Sequence, residues 1–195
     1  FRDKVNSGLT YEGKTVKLGA DIDLSTVCGA NVGGKEVSWE PIGKYISDTE
    51  YNSFNGIFDG NNKAISNLYI NTNQNYQGLF GATAGNIKNV IAIVNITAQN
   101  FVGAICGETK AGAQISNCVS KGNINGKVEP GGIVGRNVGA SIQYCMNYAN
   151  ITGTDGVAGI CGYERENSEV QYCINLGEIE GVQQIRRNCR MRKFR

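Results

Sequence analysis

The sequence contains no histidine, two prolines and one tryptophan among 195 residues. The absence of histidine excludes the HExxH zinc peptidases, every histidine-based nucleophile triad, and most zinc sites. No Cys-x-x-Cys pair occurs either, so thiolate zinc ligation lacks its usual spacing. No apolar run approaches the ~18 residues of a membrane-spanning helix. With so little proline, almost every backbone N–H can enter a ladder. No secretory leader pattern is visible, and the start at Phe1 reads as that of a mature or excised piece.

A one-sided charge is also missing, although the net value of +2 hides this. Six basic residues and no acid lie in 182–195 (Arg186, Arg187, Arg190, Arg192, Lys193, Arg195). Without those six, 13 basic residues face 17 acidic ones, a net of −4. The body is mildly acidic and carries no electrostatic footprint for nucleic acid. The tail has two readings: a patch for anionic polymers or headgroups, or a segment foreign to the fold.

What the chain does have is repetition. QGLFG (77–81), VGAICG (102–107), GGIVG (131–135) and AGICG (158–162) open four copies. IKNV, ISNC, IQYC and VQYC follow, starting at Ile87, Ile115, Ile142 and Val170. VNIT, GNIN, ANIT and GEIE close the copies around Ile96, Ile124, Ile151 and Ile179. The closing glycines Gly81, Gly107, Gly135 and Gly162 are 26, 28 and 27 residues apart. A period in this range signals a solenoid or array.

Each copy holds three short apolar runs broken by Gly and Asn, too short for helices and of ordinary strand length. Ile and Val suit a pleated surface. The 27 glycines are expected to supply left-handed corners, which Asn also tolerates. One copy cannot bury its apolar face alone, but stacked copies can, each strand pairing with its counterpart ~4.8 Å away. The expected fold is therefore all-β: a parallel β-helix of roughly six coils, the first two irregular.

Stacking predicts columns. Ile87, Ile115, Ile142 and Val170 form one; Val90, Cys118, Cys145 and Cys173 a second; Phe80, Cys106, Val134 and Cys161 a third; the block-closing isoleucines a fourth. Asn95, Asn123 and Asn150 also match, as an amide ladder or as solvated turn residues. Seven cysteines invite a disulfide framework. The columns argue against it. Cys106 and Cys161 lie two coils apart, ~9–10 Å, and three aligned thiols cannot all pair. Reduced thiols acting as small apolar residues are expected, with Cys28 and Cys189 outside the pattern.

The organisation read from the chain is a cap over residues 1–13, irregular coils with loops over 14–76, regular coils over 77–181, and a basic tail or cap over 182–195. Phe1 and Val5, followed by Gly8, predict a short N-terminal helix that covers the first coil. Val16, Leu18, Ile22 and Leu24 are expected to face in, while Lys17, Asp21 and Asp23 face out. Residues 25–37 and 46–53 read as loops leaving the coil, and Asp59-Gly60-Asn61-Asn62 as a turn. A calcium loop at that turn would need a later acidic ligand that the spacing lacks.

The four glycine-bounded blocks resemble the GLUG repeat of bacterial surface proteins. The ordered series GKTVKLGADIDLS, WEPIG, FNGIFDGNNKAISNLYI and QGLFG is similar to the β-helical region that accompanies immunoglobulin A-cleaving metallopeptidases. The resemblance covers about Val5 to Gly181 and implies right-handed winding, a bacterial source, and an extracellular or wall-associated setting. It does not carry peptidase activity to a chain without histidine. The tail departs from the pattern and inherits nothing.

The sequence offers two kinds of candidate site. Some parallel β-helices cleave polysaccharides, so Asp21, Asp23, Glu36, Glu40, Asp48 and Glu50 are candidate acids, which would need two of them ~5–10 Å apart with one pKa raised. Solvated outward carboxylates are the alternative. Tyr144 and Tyr172, matched one coil apart, with Tyr148 and Tyr163, are candidates for an exposed stripe that grips a glycan or a protein. The expectation is a non-catalytic, monomeric solenoid module of a larger bacterial surface or secreted protein, with no cofactor, no metal and no nucleic-acid partner, serving as stalk or adhesion surface. The alternative is a carbohydrate-active enzyme using the early-loop acids.

Overall fold

The computed structural model of the chain describes residues 1–47, 50–165 and 167–182, with the side chain of Ser47 left out. Asp48, Cys189 and the basic residues beyond Val182 lie outside the described residues. The fold is an all-β solenoid of about four turns, with helix confined, among the described residues, to Arg2–Asn6. A four-stranded parallel sheet of Phe80–Thr83, Cys106–Thr109, Val134–Val138 and Cys161–Arg165 marks those turns.

A larger, 12-stranded sheet wraps the remaining faces. Its spine is Asn86–Asn100, a strand whose alternate residues Val90, Ala92, Val94, Ile96 and Ala98 are buried. Ile57–Asn71 pairs with it on one side, and Gln114–Ser116 and Val119–Val128 on the other, all in parallel. Upstream, Thr15–Lys17 and Ile22–Asp23 pair onto Ile57–Asn71.

The predicted columns are present. Phe58, Ile87, Ile115, Ile142 and Val170 are successive register partners. So are Ile70, Ile96, Ile124, Ile151 and Ile179. Phe80, Cys106, Val134 and Cys161 form the column of the smaller sheet. Val90, Cys118, Cys145 and Cys173 are all buried, each one residue before the register series Ile91, Val119, Met146, Ile174. Each fully buried Ile or Leu contributes ~1.5–3 kcal/mol of transfer free energy, so the columns are the main source of stability.

The repeat glycines do a different job from the one expected. Gly81, Gly107, Gly135 and Gly162 are absent from the positive-φ residues. A Cβ on Gly107 would stand 2.3 Å from the backbone of Tyr76, on Gly135 2.2 Å from Phe101, and on Gly162 2.1 Å from Glu129. The corner of one coil rests directly on the glycine of the next, so the block ends in glycine for closeness, not for φ. Left-handed corners fall to other residues. Asn89, Asn117, Tyr144 and Tyr172 follow the partnered strands of successive coils with φ of 57°, 53°, 55° and 55°. Tyr76, Phe101 and Glu129 make a second such corner at 57°, 58° and 56°.

The two expected loops are β-hairpins: Gly29–Val32 with Lys35–Val37, and Lys44–Ser47 with Glu50–Asn52. Between them Trp39 N–H donates to Tyr69 O (2.7 Å) and Ile42 bridges Phe80, so the chain rejoins the solenoid before leaving it again. The Asp59–Asn62 turn is realised inside a bent strand, with Asn61 and Asn62 both at positive φ and the register shifting between Asp59 and Lys63. Val16 and Leu18 are half-buried and Leu24 buried, but Ile22 is 37% exposed, at the start of the stack where it has a partner strand on one side only.

The helix Arg2–Asn6 is too short to stand alone. Tertiary contacts hold it. Val5 is buried, and Phe1 stacks on Phe58 (5.9 Å) and meets Phe54 edge-on (5.6 Å). Asn6 Nδ2 donates to Pro41 O (3.0 Å), while Asn6 Oδ1 accepts from Gly43 N (2.8 Å).

Candidate interaction surfaces

Tyr144 and Tyr172 end the short strands Ser141–Gln143 and Glu169–Gln171, so the register that pairs Gln143 with Gln171 brings them one coil apart. Their rings stack 5.1 Å apart at 8°. They remain 53% and 39% exposed, so the pair is a surface feature and not core. Both occupy the corner that Asn89 and Asn117 fill in earlier coils. Asn enters that conformation readily and tyrosine does not. A bulky aromatic there forgoes backbone comfort without burying its ring.

The other two tyrosines of the expected stripe lie elsewhere on the circumference. Tyr148 follows the next strand, Met146–Asn147, and Lys121 Nζ sits 6.0 Å from its ring centre. Tyr163 belongs to the smaller sheet, paired with Arg136. Among the described residues, neither is in ring contact with Tyr144 or Tyr172. The structure brings together one pair of the four.

A second aromatic surface was not anticipated. Tyr45, from the second hairpin, stacks on Tyr76 (4.3 Å), and Tyr76 stacks on Phe101 (4.9 Å). Tyr51 meets Tyr45 edge-on at 5.2 Å. Arg136 covers Phe101 at 5.3 Å, and its Nη1 donates to Tyr76 Oη (3.3 Å) and to Glu108 Oε2 (2.9 Å). Glu108, 1% exposed, is also bonded to Lys110 Nζ, which lies 3.0 Å from the centre of the Tyr51 ring. Burial works against the charge on Arg136, but Glu108 and Tyr76 outweigh it and hold the guanidinium charged. Burial, helped by Glu108, pushes the Tyr76 phenol up. Both carboxylate oxygens of Glu108 are engaged by cations, Oε1 by Lys110 and Oε2 by Arg136, so the side chain ties the cluster together. Sequence spacing shows Tyr76 and Phe101 only as residues preceding two glycine blocks; Tyr45 comes from an insertion outside the repeat.

The candidate acids are engaged separately. Asp21 Oδ1 accepts from Ala64 N (2.9 Å). Asp23 accepts from Asn67 Nδ2 (2.8 Å) and Ser25 N (2.9 Å), bonds that hold it below the ordinary carboxylate range. Glu36 accepts from Tyr69 Oη (2.5 Å) and Asn71 Nδ2 (2.6 Å) and is lowered in the same way. Glu40 pairs with Lys44, and Glu50 is exposed. A lowered carboxyl is the opposite of the proton-holding acid that glycoside hydrolysis needs. Among the described residues no cluster of three or more candidate metal ligands occurs. No helix is long and apolar enough to cross a membrane.

The described cysteines are buried and no disulfide joins them. Sγ atoms of Cys118, Cys145 and Cys173 lie 3.3, 3.3 and 3.2 Å from the carbonyl oxygens of Ser116, Gln143 and Gln171. Burial pushes the Cys106 thiol far up. Asn95, Asn123 and Asn150 are in register but exposed, with no amide-to-amide bond among them in the described residues. The inner polar ladder is buried Ser120 and Asn147 with half-buried Asn175: Ser120 Oγ donates to Asn147 Oδ1 (2.5 Å), and Asn147 Nδ2 to Asn175 Oδ1 (2.6 Å).

Columns, close-packed glycine corners and inserted hairpins define a parallel β-solenoid carrying aromatic surface clusters. The chain shares this fold with a crystal structure of a Bacteroides ovatus protein provisionally described as an immunoglobulin A1 protease, with a TM-score of 0.62 and 19% identity over 96% of this chain and 71% of that one. No protein-family model matches the sequence, and no curated protein matches it.

Proposed function

We propose that the chain is a non-catalytic β-solenoid module of a larger bacterial cell-surface or secreted protein, acting as a stalk or an adhesion surface. The observation that carries this reading is the unbroken set of core columns, from Phe58 to Val170 and from Ile70 to Ile179, with Asp23 and Glu36 each held low by its own hydrogen bonds. Such a body is stiff along its axis and offers side chains at a fixed repeat, which suits spacing and gripping better than bond cleavage. Right-handed winding, six coils, and a capping role for Arg2–Asn6 belong to the same reading, as do the segment boundaries 1–13, 14–76, 77–181 and 182–195. The resemblance of the glycine blocks to repeats of bacterial surface proteins is what supports an extracellular or wall-associated setting. The candidate interaction surface is the Tyr144–Tyr172 pair, with Tyr148 and Tyr163 as separate contact points; the partner is a host or bacterial surface protein or glycan. The test is an activity assay on the purified chain with polysaccharides, protein substrates and immunoglobulin A. No new reducing ends and no new peptide fragments are expected; turnover of any of them overturns the reading.

A further inference from the structure

A groove of about 420 Å³ runs between the second hairpin and the corner that leads into the QGLFG block, lined by Tyr45, Asn73, Gln74 and Asn75 with Glu40 and Lys44. It lies beside the Tyr45–Tyr76–Phe101 stack and apart from the Tyr144–Tyr172 corner. Three properties fix what it can hold.

The first is a braced ring. Tyr45 is held on one side by the Tyr76 stack and met edge-on by Tyr51. Arg136 and Glu108 anchor the stack behind it. A ring that is already ordered loses little freedom when a ligand arrives. The second is a set of exposed amides. Asn73, Gln74 and Asn75 each offer an acceptor oxygen and a two-hydrogen donor. Asn75 Oδ1 accepts from Asn100 N (3.2 Å), which fixes that amide and turns its NH2 into the remaining donor. The third is charge balance: Glu40 and Lys44 pair with each other, so the groove has no net sign.

We propose that this groove binds a neutral glycan. One sugar ring lies against Tyr45, and its hydroxyls are met by the amides of Asn73, Gln74 and Asn75. Hydroxyls both donate and accept, as amides do, so every lining group finds a partner without a charged ligand. The volume falls in the range of small-ligand sites and holds one or two sugar rings. A peptide is a poorer fit, because the walls offer no apolar pockets for alternate side chains. The proposal deepens the surface-module reading and rests on it for the source of the glycan.

The test is saturation-transfer NMR and calorimetry on the intact chain with maltose, cellobiose, lactose and chitobiose, alongside an array of neutral and anionic glycans. Binding of at least one neutral glycan is expected. Tyr45→Ala should weaken it by roughly 2- to 12-fold, the loss of one ring contact. Gln74→Ala, an exposed change that leaves the hairpin intact, should weaken it by a similar factor. Leu176→Ala, an exposed change that is part of neither the groove nor a tyrosine surface, should leave it unchanged. Failure of every neutral glycan to bind, binding of anionic glycans alone, or binding that Tyr45→Ala and Gln74→Ala both leave intact overturns the proposal. Cleavage of a bound glycan overturns the non-catalytic reading instead and leaves the groove standing.

Discussion

At Gly107 the side chain is forbidden by a neighbour, and at Gly112 only by conformation. A Cβ on Gly107 meets Tyr76 backbone at 2.3 Å, whereas Gly112, at φ 83°, has nothing within 4 Å. Gly107→Ala should therefore cost ~3 kcal/mol or more, since two coils must separate. Gly112→Ala should cost ~1 kcal/mol, the left-handed penalty alone. Urea unfolding of the two variants decides this; equal losses would mean that the coils yield to a Cβ at Gly107 at little cost and that the close approach is not what the glycine serves. Tyr144 offers the reverse case. Tyr144→Ala removes a ring stack worth ~1 kcal/mol and keeps the strained corner, so it should destabilise. Tyr144→Asn restores the residue type of Asn89 and Asn117, and its relief of strain should bring stability within ~0.5 kcal/mol of the parent.

The element that repeats is the coil, and its interior columns were readable in the sequence because equal spacing places like residues over like. Isoleucines 28 and 27 residues apart needed no knowledge of corner geometry to be matched. The aromatic groove was not readable. Tyr45 reaches Tyr76 from a hairpin outside the period, and Arg136 reaches Tyr76 across 60 residues of chain, so neither contact leaves a periodic trace. The Tyr144–Tyr172 pair was readable as a match, but its strain was not, because φ is set by the corner and not by the side chain. The two cysteine-bearing columns make a direct prediction. Cys106, Cys118, Cys145, Cys161 and Cys173 are buried, and burial holds the Cys106 thiol protonated. Alkylation with iodoacetamide should spare these five in the native state and label them once urea unfolds the chain; rapid native labelling would contradict the packed columns.

Across the whole molecule, acid should loosen the stack from its edges. Asn67 and Ser25 hold Asp23 low, Tyr69 and Asn71 hold Glu36 low, and Asn89 and Asn61 hold Asp59 low. A depressed folded pKa means that the unfolded chain binds more protons. The stabilisation is thus full at neutral pH and is lost as pH falls from the ordinary carboxylate range, about 4, towards the lowered values. Melting temperatures should fall over that window, less steeply in Asp59→Asn; a flat profile would show that these bonds contribute nothing.

The most direct test of stacking is to remove one winding. Excising residues 107–134 joins Cys106 to Gly135 and takes out 28 residues, one full coil, while every column stays aligned. Excising 107–120, half that length, puts apolar positions against polar ones. Circular dichroism and urea unfolding should show a cooperative β-protein for the full-coil deletion and no folded state for the half. Loss of folding in both, or cooperative folding in both, would contradict the account.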